Sequence, residues 1–386
     1  MKPSLVRVIV IASIVLVLAA AGFVYYRSTR VYTVTIGTAT EGNISYTFGQ
    51  ALKTLVAREN PRINLEVVET KGAVESMQML GENKLDLAVV QNDTPAVPAA
   101  RTIAFLYPQY FHLLVPIDSP IQEVGDLRGM RVGTPAVGGG SYNAFMTLIE
   151  HYGLTPDDFA AFENLPSSEL TARFLAGELD AIFGSDAIGE ERPTVVLGSG
   201  KARVVTIDQA AAMQLTLPYV EELTIPKGAY KASPPVPPED LTTVGICVSL
   251  LAHKELDEAI VKELTRIMFD FRLELADAVP QMSALSSPAE SATLSIPIHE
   301  GAQAYYDRDK PNFLQENSDY IGLLITLATM AGSVFLAMRA RIAAMQKNRS
   351  DQYNQEIVDL MDRVRETTDL SQVDDVERRL FKMFEQ

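Results

Sequence analysis

The sequence predicts an α/β protein held between two membrane-grade apolar segments. Short β-branched strands alternate with segments of helical period, and loops of glycine and small polar residues recur where a strand runs into a helix. An uncharged run of nineteen residues stands on either side of that alternation, at 8–26 and at 320–338.

The first run comes after Lys2 and Arg7 and closes with Arg27 and Arg30. At 1.5 Å per residue it reaches about 28 Å, enough to span a hydrocarbon core. It serves either as an uncleaved anchor or as a secretory signal cut after Ala19-Ala20-Ala21, and both readings export the chain beyond Arg30.

Residues 34–49 organise the next part of the chain. Val31, Tyr32, Val34 and Ile36 make a strand, and Phe48, Leu52, Leu55 and Val56 recur at helical period from Ser45 onward. The loop between them leaves the helix's first N–H groups at the carboxyl edge of a sheet, where α/β proteins keep their ligands. A plain strand-to-helix connection capped by Ser45 fits the same residues. Residues 63–68 repeat the pattern, with Gly72-Ala-Val-Glu-Ser-Met opening a helix through Leu80. A strand at 84–90 ends in Gln91-Asn92-Asp93, so three successive strand ends converge on one mouth.

Strands at 111–116 and 130–134 come next, the second running into Pro135-Ala-Val-Gly-Gly-Gly-Ser141 and a helix to His151. The lysine of a Walker motif is absent, which leaves an anion-receptive helix start. Thr155-Pro-Asp-Asp is a capping box with proline at the first helical position, so Asp157 and Asp158 read as structural; Ser167-Ser-Glu repeats the device more loosely. The strand at 181–183 reaches a loop, Gly184-Ser-Asp-Ala-Ile-Gly. Ser233-Pro-Pro-Val-Pro-Pro-Glu-Asp reads as a stiff, extended crossing, followed by a strand around Cys247 and a helix carrying Ile260, Leu264, Ile267, Met268 and Phe271.

The second apolar run lies between Glu316 and Asp319 on one side and Arg339, Arg341, Lys347 and Arg349 on the other, which places its C-terminal end in the cytoplasm. Gly322, Thr326, Thr329 and Ser333 form a small, weakly polar face that suits either helix packing or a plain anchor. In the tail, Tyr353, Ile357, Leu360, Met361 and Val364 share a stripe, and a second segment restarts at Ser371 with Val376, Leu380 and Met383. The stripes are too short for a long coiled coil and predict a helical hairpin or a self-association segment. The tail has no length for a kinase or cyclase.

A formal charge of −16 over 386 residues argues against nucleic acid as a partner and against an anionic membrane surface for the soluble part. Cys247 is the only cysteine and stands in an apolar strand pattern, so it reads as a buried structural thiol. His112, His151, His253 and His299 are scattered, and no nucleophile stands at useful spacing from a base; no enzyme activity, metal or cofactor is expected. His299 reads as a helix-start residue.

Ile36-Gly-Thr with Gly42-Asn-Ile-Ser-Tyr-Thr-Phe-Gly resembles the opening of the TAXI family, the solute-binding proteins of TRAP-type secondary transporters. Glu69-Thr-Lys-Gly-Ala-Val-Glu-Ser, Leu85-Asp-Leu-Ala-Val-Val-Gln-Asn-Asp, Leu106-Tyr-Pro, Asp126-Leu-Arg-Gly-Met-Arg-Val-Gly, Thr224-Ile-Pro-Lys-Gly-Ala-Tyr and Ile298-His-Glu-Gly-Ala with Tyr305-Tyr306 succeed it in the family's order. The chain departs from the family at Ala39, Thr40 and Glu41, at the 184–189 loop, and in carrying a span and a tail beyond Tyr306.

The resemblance implies a type II periplasmic-binding-protein fold, to which the two apolar runs add N- and C-terminal transmembrane helices. Its parts are a membrane span or signal anchor at 1–30, a two-lobed periplasmic domain at 31–318, a span at 319–338 and a cytoplasmic helical tail at 339–386. Lobe 1 comprises about 31–115 and 245–318, and lobe 2 about 116–244, the chain crossing near Pro116 and Val244. The implied ligand is a small carboxylate or amino acid such as glutamate, bound in a cleft that closes by a hinge. The implied partners are a TRAP membrane subunit and the bilayer of a bacterial inner membrane. Carried over by position, Thr38, Ser45, Tyr46, Gln91 and Ser141 line the cleft, with backbone N–H groups around Gly72 and Gly140. Glu41 and Asp93, if either faces the same cleft, would favour a zwitterion over a plain dicarboxylate; the alternative is that Glu41 points to solvent, as most loop glutamates do. A receptor that signals occupancy through its second span is the alternative reading.

Overall fold

In Tyr32–Thr38 the residues that alternate inward are apolar, and the segment forms strand β1, followed by helix α1 at Ile44–Glu59. The computed structural model describes residues 31–288, 296–310 and 317–366 together with Val15, Leu18 and Arg378. The chain continues through β2 (Ile63–Glu69), α2 (Ala73–Gly81), β3 (Leu87–Gln91), β4 (Ala100–Pro116), β5 (Arg131–Thr134), α3 (Gly140–His151), β6 (Ala161–Asn164) and α4 (Ser167–Leu175). Then come β7 (Ala181–Asp186), α5 (Glu191–Gly198), β8 (Ala202–Val205), α6 (Ala210–Gln214), β9 (Glu221–Ile225), β10 (Lys231–Ala232), β11 (Pro235–Val236) and β12 (Leu241–His253). Helices α7 (Glu258–Asp270), α8 (Arg272–Ala278), α9 (Glu300–Tyr306) and α10 (Ser318–Glu366) complete the described elements.

Ten strands form one sheet in the order β2-β1-β3-β12-β4-β7-β5-β6, with β8 added to β4 and β9 to β12. β1 pairs in parallel with β2 and β3, and β5 in parallel with β6 and β7. These two parallel groups are joined by β4 and β12, long strands paired antiparallel from Gly245 opposite Tyr110 to His253 opposite Ala100. Side chains of β1, β3, β12, α1 and α7 build one apolar cluster around Ile36, Phe48, Leu250 and Leu264. A second gathers around Phe111, Phe145 and Phe183, whose rings meet at centroid distances of 5.3 and 5.2 Å.

The strand expected at 111–116 is the end of a longer one. Pro108 lies within β4 opposite Cys247, beside a register shift at Val248/Ser249. Such an irregularity lets a sheet accept a residue that cannot donate an N–H. The expected loop at Gly184-Ser-Asp is still strand, because Gly184, Ser185 and Asp186 pair with His112, Phe111 and Tyr110. Ser233-Pro-Pro-Val-Pro-Pro is not a plain extended connector: its Pro235 and Val236 pair with Ala232 and Lys231 in the two-residue ladder β10–β11.

Residues 1–308 and 309–386 are separate units. In the second unit α10 runs unbroken from Ser318 to Glu366, 49 residues or about 73 Å. Among the described residues, Ser318–Met345 is the one stretch long and apolar enough to cross a membrane. The hydroxyls of Thr326, Thr329 and Ser333 donate to carbonyls of their own helix. The expected span at 8–26 lies outside the described residues except Val15 and Leu18, and the tail segment from Ser371 lies outside them except Arg378.

Candidate functional site

Strand ends and helix starts converge on one cavity of about 1050 Å³ within the first unit. One side is built from the β1–α1 loop through Ser45, from Lys71 to Gln78 at the start of α2, and from Gln91, Asp93 and Thr94 after β3. The other is built from Gly138 to Ser141 at the start of α3, Ser167 and Ser168 on α4, and Ser185, Asp186 and residues 189–192 between β7 and α5; Tyr107 and Gln109 of β4 also line it.

The helix starts set its polarity. Asn43, and not Ser45, caps α1, its side chain accepting from the Ser45 N–H at 2.9 Å. Gly72, Gly139, Pro166 and Glu190 occupy the N-cap positions of α2, α3, α4 and α5 without placing a side-chain oxygen on the free N–H groups. Ser167-Ser-Glu is therefore not a capping box: Ser167 is already inside α4. Four helix ends with unsatisfied donors give the cavity an affinity for negative charge.

Its side chains pull the other way. Lys71 and Arg192 line it, against Glu75, Asp93, Asp186, Glu190 and Glu191. Arg192 is committed to Asp186, with Nε 3.2 Å from Oδ2 and Nη2 bonded to Oδ1, and both residues are buried. Gly184 is required there, because a Cβ at that position would overlap the guanidinium. Burial pushes the Asp93 carboxyl up to about 6. Burial, then the neighbouring Asp186, pushes Glu190 up to about 7. Behind this edge, burial pulls His112 down to about 4, so at neutral pH it is uncharged and forms no ion pair with Asp186 at 3.9 Å. Its Nδ1–H donates to the Tyr110 carbonyl at 2.9 Å, which leaves Nε2 to accept from the Tyr230 hydroxyl.

Of the residues named from sequence, Ser45, Gly72, Gln91, Asp93, Gly140 and Ser141 meet on this cavity. Thr38, Glu41 and Tyr46 do not. Thr38 is fully buried and its hydroxyl donates to the Ala39 carbonyl at 3.1 Å. Glu41 is exposed on a turn that Gly42 makes with φ at +89°. Tyr46 lies one residue past Ser45 on α1, about 100° round the helix from it. Asn92 turns away to bind the backbone of Cys247 and Tyr219.

Ser141 ties the two sides of its own corner: its hydroxyl accepts from the Ser185 N–H at 3.0 Å and donates to the Ser185 carbonyl at 3.3 Å. The Gln91 side chain donates to Gln109 and lies against Gly140 so closely that a Cβ there would overlap it. Tyr107, Gln109, Ser185, Asp186, Glu190 and Arg192 carry no sequence signal of their own as cavity residues; only the Leu106-Tyr-Pro motif and the 184–189 loop hinted at them. Cys247 is buried and His299 caps α9 through Nδ1, accepting from the Gly301 N–H at 3.1 Å, as expected of both. Among the described residues no group of His, Cys, Asp and Glu is placed to hold a metal ion.

Solved structures similar to this chain include the periplasmic aliphatic sulphonate-binding protein SsuA from Escherichia coli, 17% identical over 72% of this chain and 87% of that one, with a TM-score of 0.42. A TctC solute-binding protein from Polaromonas is 16% identical over 66% and 88%, with a TM-score of 0.45. A putative L-cystine ABC transporter protein from Listeria monocytogenes is 12% identical over 67% and 99%, with a TM-score of 0.40. The NMT1-like family matches residues 36–308, which hold every residue of the cavity, and the chain belongs to that family.

Proposed function

We propose that residues 31–318 form an extracytoplasmic solute-binding domain of the TAXI type, which captures a small carboxylate or amino acid. The observation that carries this reading is the convergence of four uncapped helix starts on a single roomy cavity. In this reading the domain closes as two lobes, 31–115 with 245–318 and 116–244, about the long strands β4 and β12. The chain is tethered to a bacterial inner membrane by the span at 319–338, with the domain in the periplasm and the tail at 339–386 in the cytoplasm. The segment 1–30 is a second anchor or a signal. The domain hands its ligand to the membrane subunit of a TRAP-type transporter.

Thermal shift of the purified full-length protein against dicarboxylates and amino acids tests the binding role. A ligand at a hundred times its dissociation constant adds about 2.7 kcal/mol of stability. Stabilisation by no member of either class counts against it. One observation favours a second role as a receptor: α10 is a single helix that runs from the apolar stretch into the tail without a break. A cytoplasmic protein retained by the tail only when ligand is present would support that role.

A further inference from the structure

The end of β7 and the start of α5 give the cavity an acidic edge with one half-buried carboxyl that has no ion-pair partner among the described residues. Asp186 is matched by Arg192. Glu190 forms no ion pair among the described residues: its Oε1 accepts from the Ala187 N–H at 2.9 Å, and Asp186 adjoins it. The other titratable groups facing it are Arg192, Tyr107 and Tyr230, and burial holds both tyrosines protonated well above their ordinary range, so neither adds a charge. A second observation at the same edge points to a ligand. Ser185 is 4% exposed and lines the cavity, and its hydroxyl has no hydrogen-bond partner among the described residues. A buried hydroxyl left unpaired is costly unless something arrives to pair with it.

We propose that this edge is the cation-accepting subsite of the cavity: an ammonium or amidinium-type group of the ligand docks against the Glu190 carboxylate, and an adjacent polar atom of the ligand pairs with the Ser185 hydroxyl. The inference rests on the solute-binding reading and adds a positive pole to the ligand, whose negative group is left to the start of α2 on the other side of the cavity. It also predicts a proton link. Burial keeps the Glu190 proton on to about pH 7, and a docking cation favours the ionised form, so binding of the cation strengthens as pH rises through that value.

The test reads the charge of the edge without knowledge of the ligand. In a full-length Cys247→Ala background, Ser185→Cys is reacted with trimethylammonium-ethyl and with sulfonatoethyl methanethiosulfonate, and the ratio of rates is normalised to that of a free thiol. The expected result is a ratio at least about tenfold in favour of the cationic reagent at pH 8, reduced severalfold by Glu190→Gln and by lowering the pH to 6. Ser168→Cys on α4, exposed and on the same cavity, is the second reporter should the first variant fold poorly. A folded reporter with no charge preference, with an anionic preference, or with no reaction overturns the subsite. Absence of any stabilising solute, with the cationic preference intact, counts against the solute-binding role and leaves the subsite standing.

Discussion

Replacing Gly140 by alanine should cost stability through one neighbour, the Gln91 side chain. Gly140 opens α3 with no unusual backbone angle, and alanine is intrinsically better than glycine inside a helix by roughly 0.5 to 1 kcal/mol. The new Cβ, however, falls on the end of the Gln91 side chain, which is held by its hydrogen bond to Gln109. Moving Gln91 forfeits that bond, about 1 kcal/mol, and adds the strain of overpacking, typically about 1 to 3 kcal/mol. Gly140→Ala alone should therefore lose about 1 to 3 kcal/mol net. In a Gln91→Ala background the obstacle is gone, and the same substitution should be neutral or gain up to about 1 kcal/mol. The chain has no tryptophan, so urea unfolding of the four proteins of the cycle is followed by far-UV circular dichroism. An equal cost of Gly140→Ala in both backgrounds would show that Gln91 does not fill the space beside α3.

Arg192→Met should destabilise by about 3 to 5 kcal/mol because it strands the buried Asp186 charge, and Asp186→Asn should recover part of that loss in the same unfolding assay. For Glu190 the folded-state value is raised from 4.5 to about 7, so its stabilising contribution is complete below about pH 4.5 and is lost as pH rises through 7. Glu190→Gln should flatten the decline in stability between pH 5 and 8 by on the order of 3 kcal/mol; an unchanged profile removes Glu190 as its source. Cys247 is buried and its thiol is pushed up to about 12, mainly by burial, so iodoacetamide should modify the native protein only at the rate at which it unfolds.

The parallel strand-to-helix units were legible because each carries its own local pattern. Phe48, Leu52, Leu55 and Val56 mark α1 by period alone, and all four prove buried. What local pattern could not show was pairing. Pro108 argues against a strand when read in isolation, yet β4 passes through it because a register shift in β12 lies alongside. The proline-rich segment at 233–238 has the stiffness of a connector, but the partner of Lys231 and Ala232 is supplied by its own residues Pro235 and Val236. In both cases the deciding contacts join positions whose spacing no hydrophobic period encodes.

The same limit explains why the acidic pole was sought at Glu41 and Asp93, of which only Asp93 lines the cavity, and is proposed at Glu190. Glu41 stands in the loop that opens the cavity, but the positive φ of Gly42 turns the chain so that Asn43 and Ser45 line it instead. Glu190 is 99 residues from Gln91 and 97 from Asp93 by number, and only the β4–β12 pair, with β3 on one side and β7 on the other, brings those two strand ends to a common edge. Its charge also differs from that of an exposed loop glutamate, because burial beside Asp186 leaves it able to bind a proton near neutrality. A ligand that presents a carboxylate to the start of α2 and a cation to this edge meets opposite fields on the two sides of one cavity. A plain dicarboxylate meets a favourable field at one end and a repulsive one at the other, which weakens as Glu190 takes its proton. Its affinity should therefore improve below pH 7, while that of a zwitterion declines, and the sign of that slope separates the two ligand classes.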